Sequence, residues 1–169
     1  MRKWPASDSD EIPTPELVAA WAALDTVASE RVPLWAAHWL ARGHDGEALR
    51  TLAGLNEADP REVNDILRAA LANCDVTVPD SPGAAAHVAF IAFARLLADD
   101  RVTERWVLDR VGEVVSDSCY ADSVLDLPLG QILALDDEWG TDWGRPEQEL
   151  AIEIQDACKD QLAMSHTSA

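Results

Sequence analysis

The residues of this 169-residue chain best suited to metal or nucleophilic chemistry are four histidines and three cysteines. His38, His44 and Asp45 offer the ligand types of a metal-dependent hydrolase. The first His stands too near the His-Asp pair for such a site, and Asp45 precedes E-A-L-R-T-L-A, where an N-cap is wanted. His87 sits in the apolar run Ala84–Ala94, so burial would hold it neutral or require a partner. It is the candidate for lining an interior pocket, which would make the protein a small-molecule-binding or enzymatic helical bundle, against the plainer reading of a hydrogen-bonded core histidine. Cys74, Cys119 and Cys158 cannot all pair within one chain, and no C-x-x-C occurs, so the expectation is buried thiols in a reducing compartment. Cys119 has no basic neighbour in sequence to favour a thiolate.

A second group of residues suits binding. Asp136, Asp137, Glu138, Trp139, Asp142 and Trp143 form an acidic and aromatic loop in L-D-D-E-W-G-T-D-W-G-R-P. The indoles supply contact area and the carboxylates would select an Arg- or Lys-rich face. Asp117, Asp122 and Asp126 could extend that surface. The same loop fails as a calcium loop. Asp136, Glu138 and Glu147 fit positions 1, 3 and 12 of an EF-hand, but Gly140 and Thr141 stand where an oxygen ligand and then a glycine are needed. Alternatively, the two tryptophans clamp the last helix onto the body of the protein. Trp35 and Trp39, one turn apart, read as core. G-x-S-x-G, a P-loop, G-x-G-x-x-G and paired E-x-x-H are absent. No metal or cofactor is expected, and the reading favours a protein that is not an enzyme.

The elements that would position these residues are helical. The stretch Ser81–Ala98, S-P-G-A-A-A-H-V-A-F-I-A-F-A-R-L-L-A, opens with an N-cap and a proline at N1, and from Ala84 to Ala94 only His87 is polar. Apolar side chains all round predict a helix buried on several sides, and the run is too short to cross a bilayer. Before it, Thr14-Pro15 opens a helix with the stripe Leu17, Trp21, Leu24 and Ala28. A short helix from Pro33 stops at Gly43, and another ends at Gly54. Asp59-Pro60-Arg61-Glu62 starts a helix whose Val63, Ile66, Leu67, Ala70, Leu71 and Cys74 share a face, with Asn73 turned away from it. After the central stretch, Val102, Trp106, Val107, Val111, Val114 and Val115 follow a period of 3.6. Two short helices around Pro128 and Gly130 come next, then a last helix from Pro146 with Leu150, Ile154, Ala157, Cys158 and Gln161 inward.

The expectation is an all-α bundle of seven or eight helices around residues 81–98, with a short TPR- or HEAT-like array of helical hairpins as the alternative. Residues 1–13 read as a flexible arm, 14–163 as one helical domain and 164–169 as a disordered tail. The opening residues lack a secretory apolar run, so a cytoplasmic location is expected.

Thirteen Lys and Arg against 31 Asp and Glu give a net charge of −18. That field repels phosphate backbones and attracts cations, which argues against direct nucleic-acid binding and for a basic protein partner. A carboxylate surface that competes with DNA is a variant of the same charge logic.

The segment Trp39–Asp75 contains G-H-D-G-x-x-L, L-A-G-L and D-P-x-E-V-x-D-x-L. It resembles a segment of small, largely uncharacterised actinobacterial helical proteins. The resemblance covers about a fifth of the chain, implies a helical fold and brings no catalytic residue with it. Some such proteins sit in toxin-immunity settings, which implies an immunity protein or antitoxin covering a basic partner.

Overall fold

The computed structural model describes residues 12–55 and 59–167, and those residues are helical with turns between. In chain order come α1 (Pro15–Ala23), a 3-10 turn (Ser29–Arg31), α2 (Val32–Ala41), α3 (Glu47–Ala53), α4 (Pro60–Asn73), α5 (Pro82–Ala98) and α6 (Glu104–Asp117). Then follow α7 (Asp122–Leu125), a second 3-10 turn (Gly130–Ala134), α8 (Leu135–Glu138) and α9 (Glu147–Thr167). Seven of the nine α-helices among the described residues run for seven residues or more; α7 and α8 are four-residue turns.

Local chemistry starts the main helices. The Thr14, Ser81 and Thr103 hydroxyls accept from the amides of Leu17, Ala84 and Trp106 at 3.2–3.3 Å, and the Asp59 carboxylate from that of Arg61 at 2.9 Å. Each offsets an amide that the first turn leaves without a partner, an effect of about 1 kcal/mol. α3 starts differently from the expectation. Gly46, not Asp45, is its N-cap, and the Leu49 amide is taken by the Asn73 side chain at 3.1 Å, 24 residues on. Asn73 therefore faces α3 and does not point away. Asp45 instead pairs with Arg50 at 2.7 Å, which lowers its pKa.

Helix ends share one device. After α1, α2, α4, α5 and α6 the residues Asp25, Gly43, Asp75, Asp100 and Cys119 turn left-handed, with φ of 56, 104, 59, 55 and 54°. In each case the next amide reaches back to the carbonyl five residues earlier, as Thr26 does to Trp21 at 2.9 Å and Tyr120 to Val115 at 2.9 Å. The turn at Asp25 cuts the α1 stripe short, leaving Ala28 outside the helix.

The side chains bury into two clusters. Trp35, Trp39, Leu49, Leu52, Val63, Leu67 and Leu71 centre one, formed by α2, α3 and α4. Phe90, Phe93, Leu108, Val111, Leu129, Leu150 and Ile154 centre the other, around α5. α1 belongs to both: Leu17, Ala20 and Leu24 enter the α5 cluster, and Val18 and Ala19 the other. α5 packs against α1, α6, α7 and α9. Its alanines Ala85, Ala86, Ala89 and Ala94 are fully buried and admit those neighbours closely, while Ala84 is exposed. Phe93 meets the Trp106 ring edge-on at 5.5 Å. Packing of α5 on α1 and on α9, far apart in sequence, makes this a bundle; a hairpin array would contact only neighbours.

The ends differ from the sequence expectation. Residues 1–11 of the expected arm lie outside the described residues, but Pro13 is buried and its carbonyl accepts from Trp39 Nε1 at 3.0 Å. α9 continues to Thr167, so residues 164–167 are helix where a tail was expected; 168–169 lie outside the described residues. No helix among the described residues is long and apolar enough to cross a membrane.

Candidate functional site

Asp136, Asp137 and Glu138 are not in a loop. They form α8, a turn that needs no cap of its own because the 3-10 turn Gly130–Ala134 runs directly into it. The loop proper is the stretch from Trp139 to Pro146, and it is braced shut. Arg145 donates to Glu138 Oε2 through Nε and to Oε1 through a terminal nitrogen, both at 3.0 Å, and its amide also reaches Oε2 at 3.2 Å. Its other terminal nitrogen donates to Glu153 on α9 at 2.8 Å. These bonds hold the Glu138 carboxyl below the usual carboxylate range and push the Arg145 guanidinium up. Inside the loop, the Thr141 hydroxyl donates to the Glu138 carbonyl at 2.8 Å and accepts from the Gly144 amide at 3.1 Å. Gly140 has φ of 72°, and a Cβ at Gly144 would collide with the Glu138 carbonyl oxygen, so the turn needs glycine at both places.

This brace divides the residues singled out from the sequence. Asp136 pairs with Arg105 at 2.8 Å, and the Arg105 guanidinium lies 5.8 Å from the centre of the half-buried Trp139 ring. Trp139 packs against the α5 cluster and acts as the clamp. Trp143 does not: it is 72% exposed at the loop tip, beside exposed Asp142. Asp137 and Asp142 are exposed and have no ion-pair partner among the described residues. The structure thus assigns Asp136, Glu138 and Trp139 to holding the loop, and leaves Asp137, Asp142 and Trp143 on its outside.

His87 is half-buried and bound. Its Nδ1 lies 3.0 Å from Nε2 of Gln161, which is fully buried and whose Oε1 accepts from the Leu129 amide at 3.2 Å. Leu129 N–H can only donate, so Gln161 Nε2 donates to His87 and the imidazole proton sits on Nε2. The groove described below is lined by other residues than His87. The Asp45 carboxylate is taken by Arg50, and no group of three or more His, Cys, Asp or Glu among the described residues could hold a metal ion. Cys74 and Cys158 are buried as expected. Burial raises both thiols, Cys158 to about 12, while Cys119 is exposed, contrary to the expectation, because it occupies the left-handed helix-ending position.

No protein-family model matches the chain, and no curated protein or solved structure is significantly similar to it.

Proposed function

We propose that the protein is a non-enzymatic binding module whose acidic surface, centred on residues 136 to 143, engages a basic protein partner. The observation that carries this reading is Trp143, a large aromatic held out from the surface by a loop that an Arg–Glu brace has already ordered. An exposed indole on a mobile loop would lose entropy on binding; here that cost is met in folding. Asp142 beside it and Asp137 on α8 bring unpaired carboxylates, and the net charge of −18 adds long-range attraction for a cationic face. An immunity protein or antitoxin that covers the cationic active site of a nuclease is one such case. The resemblance of residues 39–75 points to that setting, and a cytoplasmic location suits it.

The test takes the partner captured from the native cell, identified and purified, and measures its equilibrium affinity for variants. Trp143→Ala should weaken binding by about 30-fold or more, as truncation of a central aromatic anchor does. Asp137→Asn with Asp142→Asn should weaken it at low salt and matter little at high salt. A partner whose affinity ignores both variants would show that the site lies elsewhere.

A further inference from the structure

An open groove of about 580 Å³ lies between the α6–α7 connection and α8, lined by Tyr120, Leu125, Gly130, Gln131, Leu133, Ala134, Asp136 and Asp137. We propose that this groove receives an arginine side chain of the basic partner, the stem lying on the apolar floor and the guanidinium between Tyr120 and Asp137. The proposal rests on the preceding reading and extends it from the Trp143 loop to the groove beside α8.

The lining decides the chemistry. Leu125, Leu133 and Ala134 give it an apolar floor, which suits an aliphatic stem. Its polar side chains are the Tyr120 hydroxyl, the Gln131 amide and the Asp136 and Asp137 carboxylates. Gln131 Nε2 gives one of its two hydrogens to the Asp126 carbonyl at 3.1 Å, and its Oε1 can accept from a ligand's donors. Asp137 is unpaired among the described residues, whereas Asp136 is partly neutralised by Arg105. No Lys, Arg or His is among the lining residues, and with Arg105 held on Asp136 the carboxylate left for a cation is Asp137. Tyr120, 61% exposed, stands at the rim because the left-handed pair Cys119 and Tyr120 turns the chain out after α6. A planar guanidinium can stack on that ring and still present its fork to a carboxylate, which a lysine ammonium cannot do. The volume is in the range of about 300–1,000 Å³ typical of sites for small ligands, so it suits a side chain with its flanking backbone better than a flat face.

The experiment is a titration of the isotopically labelled full chain with a hepta-arginine peptide and, separately, a hepta-lysine peptide, followed by amide shifts. The groove predicts saturable shifts at Tyr120, Gln131, Leu133, Ala134 and Asp137, tighter for arginine. Loss of one exposed cation–π contact in Tyr120→Ala should weaken hepta-arginine about two- to fivefold, with Tyr120→Phe restoring it. Shifts confined to Asp142 and Trp143 would overturn the groove and leave the binding role of the loop standing. Diffuse, unsaturable shifts that are equal for both peptides would overturn the groove as well. The wild-type shift map stands even if Tyr120→Ala folds poorly. Failure of the wider reading would show separately, as indifference of the native partner to Trp143→Ala.

Discussion

Replacing Gln161 by leucine separates a structural role for the His87 region from a ligand-binding one. Gln161 is fully buried on α9, accepts from Leu129 at 3.2 Å and donates to His87 on α5 at 3.0 Å, so one amide ties three segments together. Leucine has similar volume and no polar atom. It leaves the buried Leu129 amide without an acceptor, at a cost of about 1–3 kcal/mol. His87 is half-buried and can turn to water, so its lost bond adds little. In a chain of this size each kcal/mol moves the melting temperature by about 2–4 °C, so Gln161→Leu should melt about 2–12 °C lower. Thermal and urea unfolding followed by circular dichroism measure this. Gln155→Leu serves as control, since Gln155 is exposed and bonds only Glu104 at the surface. A loss below about 0.5 kcal/mol for Gln161→Leu would show that the amide does not hold the three segments and would leave the Gln161–His87 pair available to a ligand.

Three further outcomes follow from the same structure. Asp25, Asp75 and Asp100 hold left-handed φ values at helix C-termini, where both the Cβ and the negative charge are unfavourable. Each Asp→Gly change should therefore stabilise by about 0.5–1 kcal/mol in urea melts, and the three should add because the sites are apart. With a thiol reagent under native conditions Cys119 should react fast, and Cys74 and Cys158 at least about 10³-fold more slowly, since they are reached only through unfolding. Glu138 has its folded pKa below the unfolded value near 4.5, so the brace is at full strength above that pH and fades as pH falls through the folded pKa. Tryptophan emission should report the loop loosening in acid below about pH 4.5, and Glu138→Gln should loosen it already at neutral pH.

Helix starts were legible in the sequence because a cap is local: Thr14, Asp59 and Ser81 sit two or three residues from the amides they bind. Helix stops were less so. The sequence marks a left-handed end when glycine holds it, as at Gly43, but Asp25, Asp75, Asp100 and Cys119 take the same conformation, closed by backbone bonds that any residue type can make. The expectation of a buried middle survives in α5, although the single core became two clusters joined through α1. Partners distant along the chain could not be read: Asn73 caps α3 across 24 residues, and Gln161 meets His87 across 74. In the candidate site, residue types showed the acids and indoles but not their division of labour. The Glu138–Arg145 brace closes across the irregular turn Trp139–Pro146, where no periodic pattern sets which side chains meet, so nothing in the pattern separates the braced acids from the free ones.

On the proposed reading, negative surface presented by a braced loop brings in a cationic partner. The most direct test is the association rate with the purified partner, followed by stopped-flow tryptophan emission across salt from about 0.05 to 0.5 M. The rate should fall at least about tenfold over that range, with a flatter dependence for Asp137→Asn with Asp142→Asn. Trp143→Ala should raise the dissociation rate. An association rate indifferent to salt and to those two carboxylates would contradict that reading.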